Sequence, residues 1–344
     1  MSDIRDGCGE RSADLAPLSE RMREVDRRAF LVTAASGALA LGAEPWALAA
    51  RRDGVPVAYV TADLESHVVV LSLAGGSVLG RIRTARGPRS IESVHGRSAV
   101  IAHTEPGLVS VVEPFARDVR FELGGFSAPR YTAVHPAWSV AYVTDSMRQE
   151  VVALDVDRGR VVSRTRVPGP ARHVTVGPDG STLWTALGSK AERIAILDLR
   201  DPRPRLERTI ATPFPAHDVV FAPRDRHVWV TSGEGRRIAV YRADTREIVR
   251  ILSADRAPQH VAFVGGLALV SSGDDGLVRV HRLNGDPVRR TEVPVGSYNI
   301  AIGNGGAVTP SLSQGTVALL DERGRVRVVR RIARAAHDAC IVDV

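Results

Sequence analysis

From about residue 55 onward, apolar positions come in runs of five to eight residues. Some runs alternate with polar positions and some are continuous, and Gly, Pro, Asp and Asn separate them. Alternation with period two over such lengths predicts short antiparallel strands, whereas a helix repeats its apolar positions three and four residues apart. The clearest unit is Arg172-His173-Val174-Thr175-Val176-Gly177-Pro178-Asp179-Gly180-Ser181-Thr182-Leu183-Trp184-Thr185, which reads as strand, turn and strand. Pro178 presets the turn and Gly180 relieves its far end. The unit returns as Arg130-Tyr131-Thr132-Ala133-Val134-His135-Pro136 before 140–144. It returns again as His217-Asp218-Val219-Val220-Phe221-Ala222-Pro223 before 228–231. A unit repeated this often decides the architecture before any one side chain is interpreted.

Each repeat holds four runs, a to d. The b-runs are 57–61, 99–103, 140–144, 182–186, 227–231, 267–271 and 307–311, and a c-run and a d-run follow each of them. The a-runs open the next repeats. They end at 94, 134, 176, 221, 263 and 302, and the last occupies 338–342; the spacing is 39 to 45 residues. Four strands every 40 or so residues is the period of a propeller blade. The repeats start on a b-run and end on an a-run, which a closed ring explains, since an open array would leave an unpaired edge at each end. The expectation is an all-β, seven-bladed β-propeller of four-stranded antiparallel blades over 51–344, closed by the C-terminal strand joining the first blade.

Tyr142-Val143-Thr144-Asp145, then Val151-Val152-Ala153-Leu154-Asp155-Val156, then Val161-Val162, resembles the YVTN repeat family of bacterial and archaeal propellers. Tyr59-Val60-Thr61-Ala62 and Trp229-Val230-Thr231-Ser232 are further copies, and the resemblance covers residues 55–344. It implies the propeller fold and says almost nothing of activity. The regular Gly-His and Trp-Asp pairs of WD40 repeats are missing.

Residues 1–50 read differently. Asp26-Arg27-Arg28-Ala29-Phe30-Leu31 leads into an apolar run over 30–43, followed by Ala47-Leu48-Ala49-Ala50. A charged stretch, a short apolar stretch and a small-x-small site are the parts of a secretory signal. The paired arginines before x-Phe-Leu resemble a twin-arginine export signal, although Asp26 stands where Ser or Thr is common and Val32 where Lys is common. The expectation is a cleaved leader over 1–50, with Met22 as an alternative start, and a protein exported to the periplasm or beyond. The apolar run is too short to span a bilayer. Cys8 and Cys340 offer no zinc or haem spacing and no disulfide in the exported chain. Residues 51–344 carry 40 basic and 31 acidic residues, almost all the basic ones arginine. These arginines are spread over every repeat, so no nucleic-acid partner is expected.

Candidate chemistry gathers where the a-runs begin. Aligned on their last apolar residue, they present two adjacent columns. One holds Ser90, Arg130, Arg172, His217, Gln259, Tyr298 and His337; the other holds Ile91, Tyr131, His173, Asp218, His260, Asn299 and Asp338. Thirteen of these fourteen are polar, and in a propeller they would ring the mouth of the central channel, where ligands enter. The leading expectation is a monomeric, non-catalytic scaffold that binds a small molecule, peptide or protein through Arg130, Tyr131, Arg172, His173, His217, Asp218, Gln259, His260, Tyr298, Asn299, His337 and Asp338. No cofactor is expected; a divalent metal at the channel mouth is the one option kept open. The alternative is a propeller lyase or lactone hydrolase. There His173 or His260 would act as general base, supported by the pairs His217-Asp218 or His337-Asp338. A third reading is binding of an anionic wall polymer through the scattered arginines. Gly273-Asp274-Asp275-Gly276 reads as a hairpin turn, because calcium-loop spacing is missing.

Overall fold

The computed structural model describes residues 55–343 apart from 115–116, 189–191 and 224–225. The leader predicted over 1–50 lies outside the described residues. Among the described residues, 28 strands form seven four-stranded antiparallel sheets, and no helix occurs. Six blades are continuous in sequence; blade 3, for example, runs Pro129–Val134, Val140–Asp145, Glu150–Asp155 and Arg160–Arg166 as strands a to d. Blade 1 takes its b, c and d strands from Pro56–Ala62, His67–Ser72 and Val78–Arg83, and its a-strand from Ala339–Asp343 at the other end of the chain. Ala58 pairs with Ile341 and Tyr59 with Cys340, so the ring is closed as the repeat count predicts.

The alternation along each strand explains the closure energetically. In blade 1, Val57 and Tyr59 point into an apolar cluster shared with blade 2 (Ile91, Ala99, Ile101), while Ala58 and Val60 point into one shared with blade 7 (Val308, Val317, Leu319). Seven such clusters occupy the seven blade–blade interfaces, so each blade is buried on both faces. Inner strands therefore read as continuous apolar runs. Each fully buried Val or Leu contributes roughly 1.5–3 kcal/mol. The buried Tyr59 hydroxyl donates to the Pro114 carbonyl at 3.2 Å. The outer d-strands are exposed and arginine-rich, as in Arg164, Arg290, Arg330 and Arg331, which guards their free edges against pairing with another chain.

A second tie crosses the blades at one end of the a-strands. Hydroxyls near the end of the b-strands donate to a backbone carbonyl of the next blade: Thr61 Oγ1 to Arg89 at 3.1 Å, Thr231 Oγ1 to Gln259 at 2.9 Å, and Ser271 Oγ to Tyr298. Paired carboxylates do the same work. Asp218 accepts from its neighbour Val219 at 2.9 Å and, across the interface, from Val261 of blade 6 at 3.1 Å. Asp338 accepts from Ala339 at 2.8 Å and from Ile91 of blade 2 at 3.1 Å.

These equivalences correct the sequence alignment in blade 2. Ile91 occupies the place of Val261 and Arg89 that of Gln259, so the two columns there are Arg89 and Ser90, not Ser90 and Ile91. The a-strand of blade 2, Pro88–Val94, is seven residues long and runs one residue further towards the turn than the six-residue a-strands of blades 3 and 4. Alignment on the apolar end therefore slips by one. With Arg89 and Ser90 in place, all fourteen column residues are polar.

Candidate metal centre

The column residues sit where strand geometry breaks down. In blades 3, 4 and 6 the register shifts across Arg130-Tyr131, Arg172-His173 and Gln259-His260, and in blade 5 the a-strand begins only at Val219, after His217 and Asp218. In a regular strand, neighbouring side chains point to opposite faces. A bulge suspends that rule and re-aims side chains. The consequence is a cluster that neither column contains by itself: His173 of blade 4, His217 of blade 5 and His260 of blade 6.

One nitrogen from each of these imidazoles lies within 4.8 Å of the others. The Nε2 atoms of His173 and His260 are 3.2 Å apart. Ligand nitrogens on a tetrahedral zinc-like ion, at about 2.0–2.1 Å from it, stand about 3.3 Å from one another. One edge of the triangle is thus already at ligand spacing, and the third imidazole needs a shift of about 1.5 Å at most. His217 Nε2 is buried with no hydrogen-bond partner among the described residues, which leaves a lone pair or an N–H to be satisfied.

Surroundings suit the neutral, ligating form of the rings. Burial holds His173 well below the usual histidine range, and the nearby His217, His260 and Arg172 push in the same direction. His217 is lowered likewise by burial, then by His260 and Arg172. Tyr131 of blade 3 lies against His173, tilted by 32° with ring centroids 3.6 Å apart, and burial raises its phenol above the ordinary value. His260 turns its other nitrogen, Nδ1, to within 3.5 Å of Asp218 Oδ2. A carboxylate behind a histidine fixes ring orientation and strengthens it as a ligand. The pairing expected from sequence differs: Asp218 faces His260 across the interface rather than the adjacent His217. His337 likewise faces Asp63, with Nδ1 3.3 Å from Oδ2, rather than Asp338. Asp218 and Asp63 thus each serve an imidazole of another chain segment.

The remaining predicted residues are placed as follows. Tyr298 is drawn away from the imidazoles: its hydroxyl donates to Asp274 at 2.8 Å and its ring covers Gly273. Asn299 donates to the His337 carbonyl at 2.8 Å and is a blade tie. Gln259 takes part through its backbone carbonyl. Asp338 is half-buried, and desolvation raises it, with the His260 and His337 charges opposing. Below it, burial and then the Asp338 charge push Glu92 up to about 8, and both acids help hold the Cys340 thiol far above its usual range. The Gly273–Gly276 segment is a hairpin turn, its two carboxylates held by Tyr298 and Arg256. Sequence reasoning missed Arg89 and set Ser90 in the wrong column. The signal was present: Pro88-Arg89 matches Pro129-Arg130, and Pro258-Gln259 stands at the same place.

By sequence the chain matches no protein-family profile and no curated protein. By structure it is similar to a functionally unknown protein from Desulfotomaculum acetoxidans DSM 771, with TM-score 0.74 and 12% identity over 83% of this chain and 98% of that one. It is similar to apo AztD from Citrobacter koseri, with TM-score 0.65 and 12% identity over 85% and 99%. It is also similar to the dihydro-heme d1 dehydrogenase NirN in complex with DHE, with TM-score 0.60 and 17% identity over 85% of this chain and 66% of that one. At such identities the likeness is one of fold, and the chain stands among the β-propellers on that ground.

Proposed function

We propose that this chain is an exported, YVTN-type propeller whose channel mouth binds a divalent transition-metal ion through His173, His217 and His260. The observation that carries the reading is the convergence of three buried or half-buried imidazole nitrogens within 4.8 Å. Imidazole suits zinc, copper and nickel, and its neutral form is required. The scaffold works as a monomeric binding protein, without nucleic acid. Its site outside the cytoplasmic membrane is supported by the Arg27-Arg28 segment. The test is calorimetric titration of the metal-stripped protein with zinc and with copper. One ion per chain is expected, with affinity at least 100-fold weaker in His173→Ala and in His260→Ala. Unchanged affinity in both variants overturns the reading.

A catalytic role is the second reading, and one observation favours it. The Tyr131 ring lies against His173, and three protein ligands would leave a coordination position free, which is the pattern of catalytic rather than structural zinc. Lyase or ester-hydrolase chemistry would fit such a centre. Metal-loaded protein that turns over no member of a panel of esters and lactones removes this reading and leaves the binding role.

A further inference from the structure

With blade 2 correctly aligned, the first column reads Arg89, Arg130 and Arg172 on three consecutive blades, and His217 continues it on the fourth. The a-strand of blade 3 packs between those of blades 2 and 4, so the three arginines stand on adjacent strands. Their neutralisation is poor. Arg89 Nη1 lies 3.7 Å from Asp63 Oδ2, but Asp63 also faces His337 at 3.3 Å. Arg130 Nε reaches only a neutral hydroxyl, Ser146 Oγ, at 3.4 Å. Arg172 lies against the Tyr131 hydroxyl. The Nε atoms of Arg89 and Arg172 are buried with no hydrogen-bond partner among the described residues.

Burial, followed by the Arg89 and Arg172 charges, pushes Arg130 below the usual arginine range, so the three positive groups act on one another. Gathering like charges partly out of water costs free energy unless something negative offsets it. The unpartnered Nε donors of Arg89 and Arg172 require an acceptor. Guanidinium groups bind carboxylate and phosphate oxygens bidentately.

We propose that Arg89, Arg130 and Arg172 form an anion subsite beside the imidazoles, which takes a small molecule bearing a carboxylate or phosphate group. The inference rests on the channel mouth being a binding site, but not on its holding a metal.

The test uses metal-stripped protein titrated with succinate and, separately, with inorganic phosphate at two salt concentrations. At least one probe is expected to bind one per chain, more weakly at the higher salt. The Arg130→Gln/Arg172→Gln variant should lose at least tenfold in affinity, with its thermal midpoint checked. Arg172→Lys, which keeps the charge and drops the planar fork, should lose several-fold. His260→Ala should abolish metal binding and leave anion binding within threefold, which separates failure of this inference from failure of the metal reading. Whichever probe binds assigns the carboxylate or phosphate class. Failure of both probes, or equal binding by the arginine variants, overturns the proposal.

Discussion

Asp218 Oδ2 stands 3.5 Å from His260 Nδ1 and 3.1 Å from the backbone nitrogen of Val261, so one carboxylate both ties blade 5 to blade 6 and aims a candidate ligand. Asp338 makes the same pair of backbone contacts at the junction of blades 1 and 2, to Ala339 and Ile91, but supports no member of the imidazole cluster at ion-pair distance.

This contrast gives the first prediction. Asp218→Ala and Asp338→Ala each leave two backbone donors without their acceptor, so each should lower stability by about 2–3 kcal/mol. Only Asp218→Ala should also weaken metal affinity, by 10–100-fold, because only there does the carboxylate orient a ligand. Denaturant midpoints and metal titrations of the two variants check both halves. Equal metal affinities in the two would remove the orienting role.

Gly233 supplies the second. It adopts φ +66°, and a Cβ there would lie 3.1 Å from His217 Cβ. Gly233→Ala therefore meets backbone strain and presses on the one imidazole that must move to reach ligand spacing. A loss of about 1–2 kcal/mol in stability is expected, together with weaker metal binding. Retained wild-type affinity would show that His217 needs no such room.

The third concerns pH. Glu92 is pushed up to about 8 in the folded protein by burial and by Asp338, whereas an unfolded glutamate titrates near its ordinary value of 4.5. Between these values the unfolded chain has released the proton that the folded chain retains, so the group costs stability progressively as pH rises from 4.5 to 8. Glu92→Gln should thus stabilise the protein little at pH 4.5 and by roughly 2–4 kcal/mol at pH 8. Thermal midpoints measured across that range check it; a constant difference between variant and wild type would contradict it.

Much of the fold was legible because each blade is buried on both faces. Val57 and Tyr59 serve one interface, Ala58 and Val60 the other, and that need writes unbroken apolar runs into the sequence seven times over. Closure was legible too, from an unmatched a-run ending at 342 and an unmatched b-run at 57. The site was legible only as an inventory. Arg130, Tyr131, Arg172, His173, His217 and His260 are all named by the column pattern, but which of them meet depends on bulges, and a bulge leaves no mark in apolar periodicity. That is why His217 joins His173 and His260 from the opposite column, why Asp218 serves His260, and why Arg89 was passed over for Ser90.

The central claim is that three imidazoles from three successive blades hold one metal ion. The most direct test is a crystal structure of the zinc-loaded protein, with the ion located by anomalous scattering at the zinc edge. The account predicts a single strong peak about 2.0–2.1 Å from a nitrogen of each of His173, His217 and His260. A peak elsewhere on the ring, or none at these three residues with zinc in excess, would contradict it.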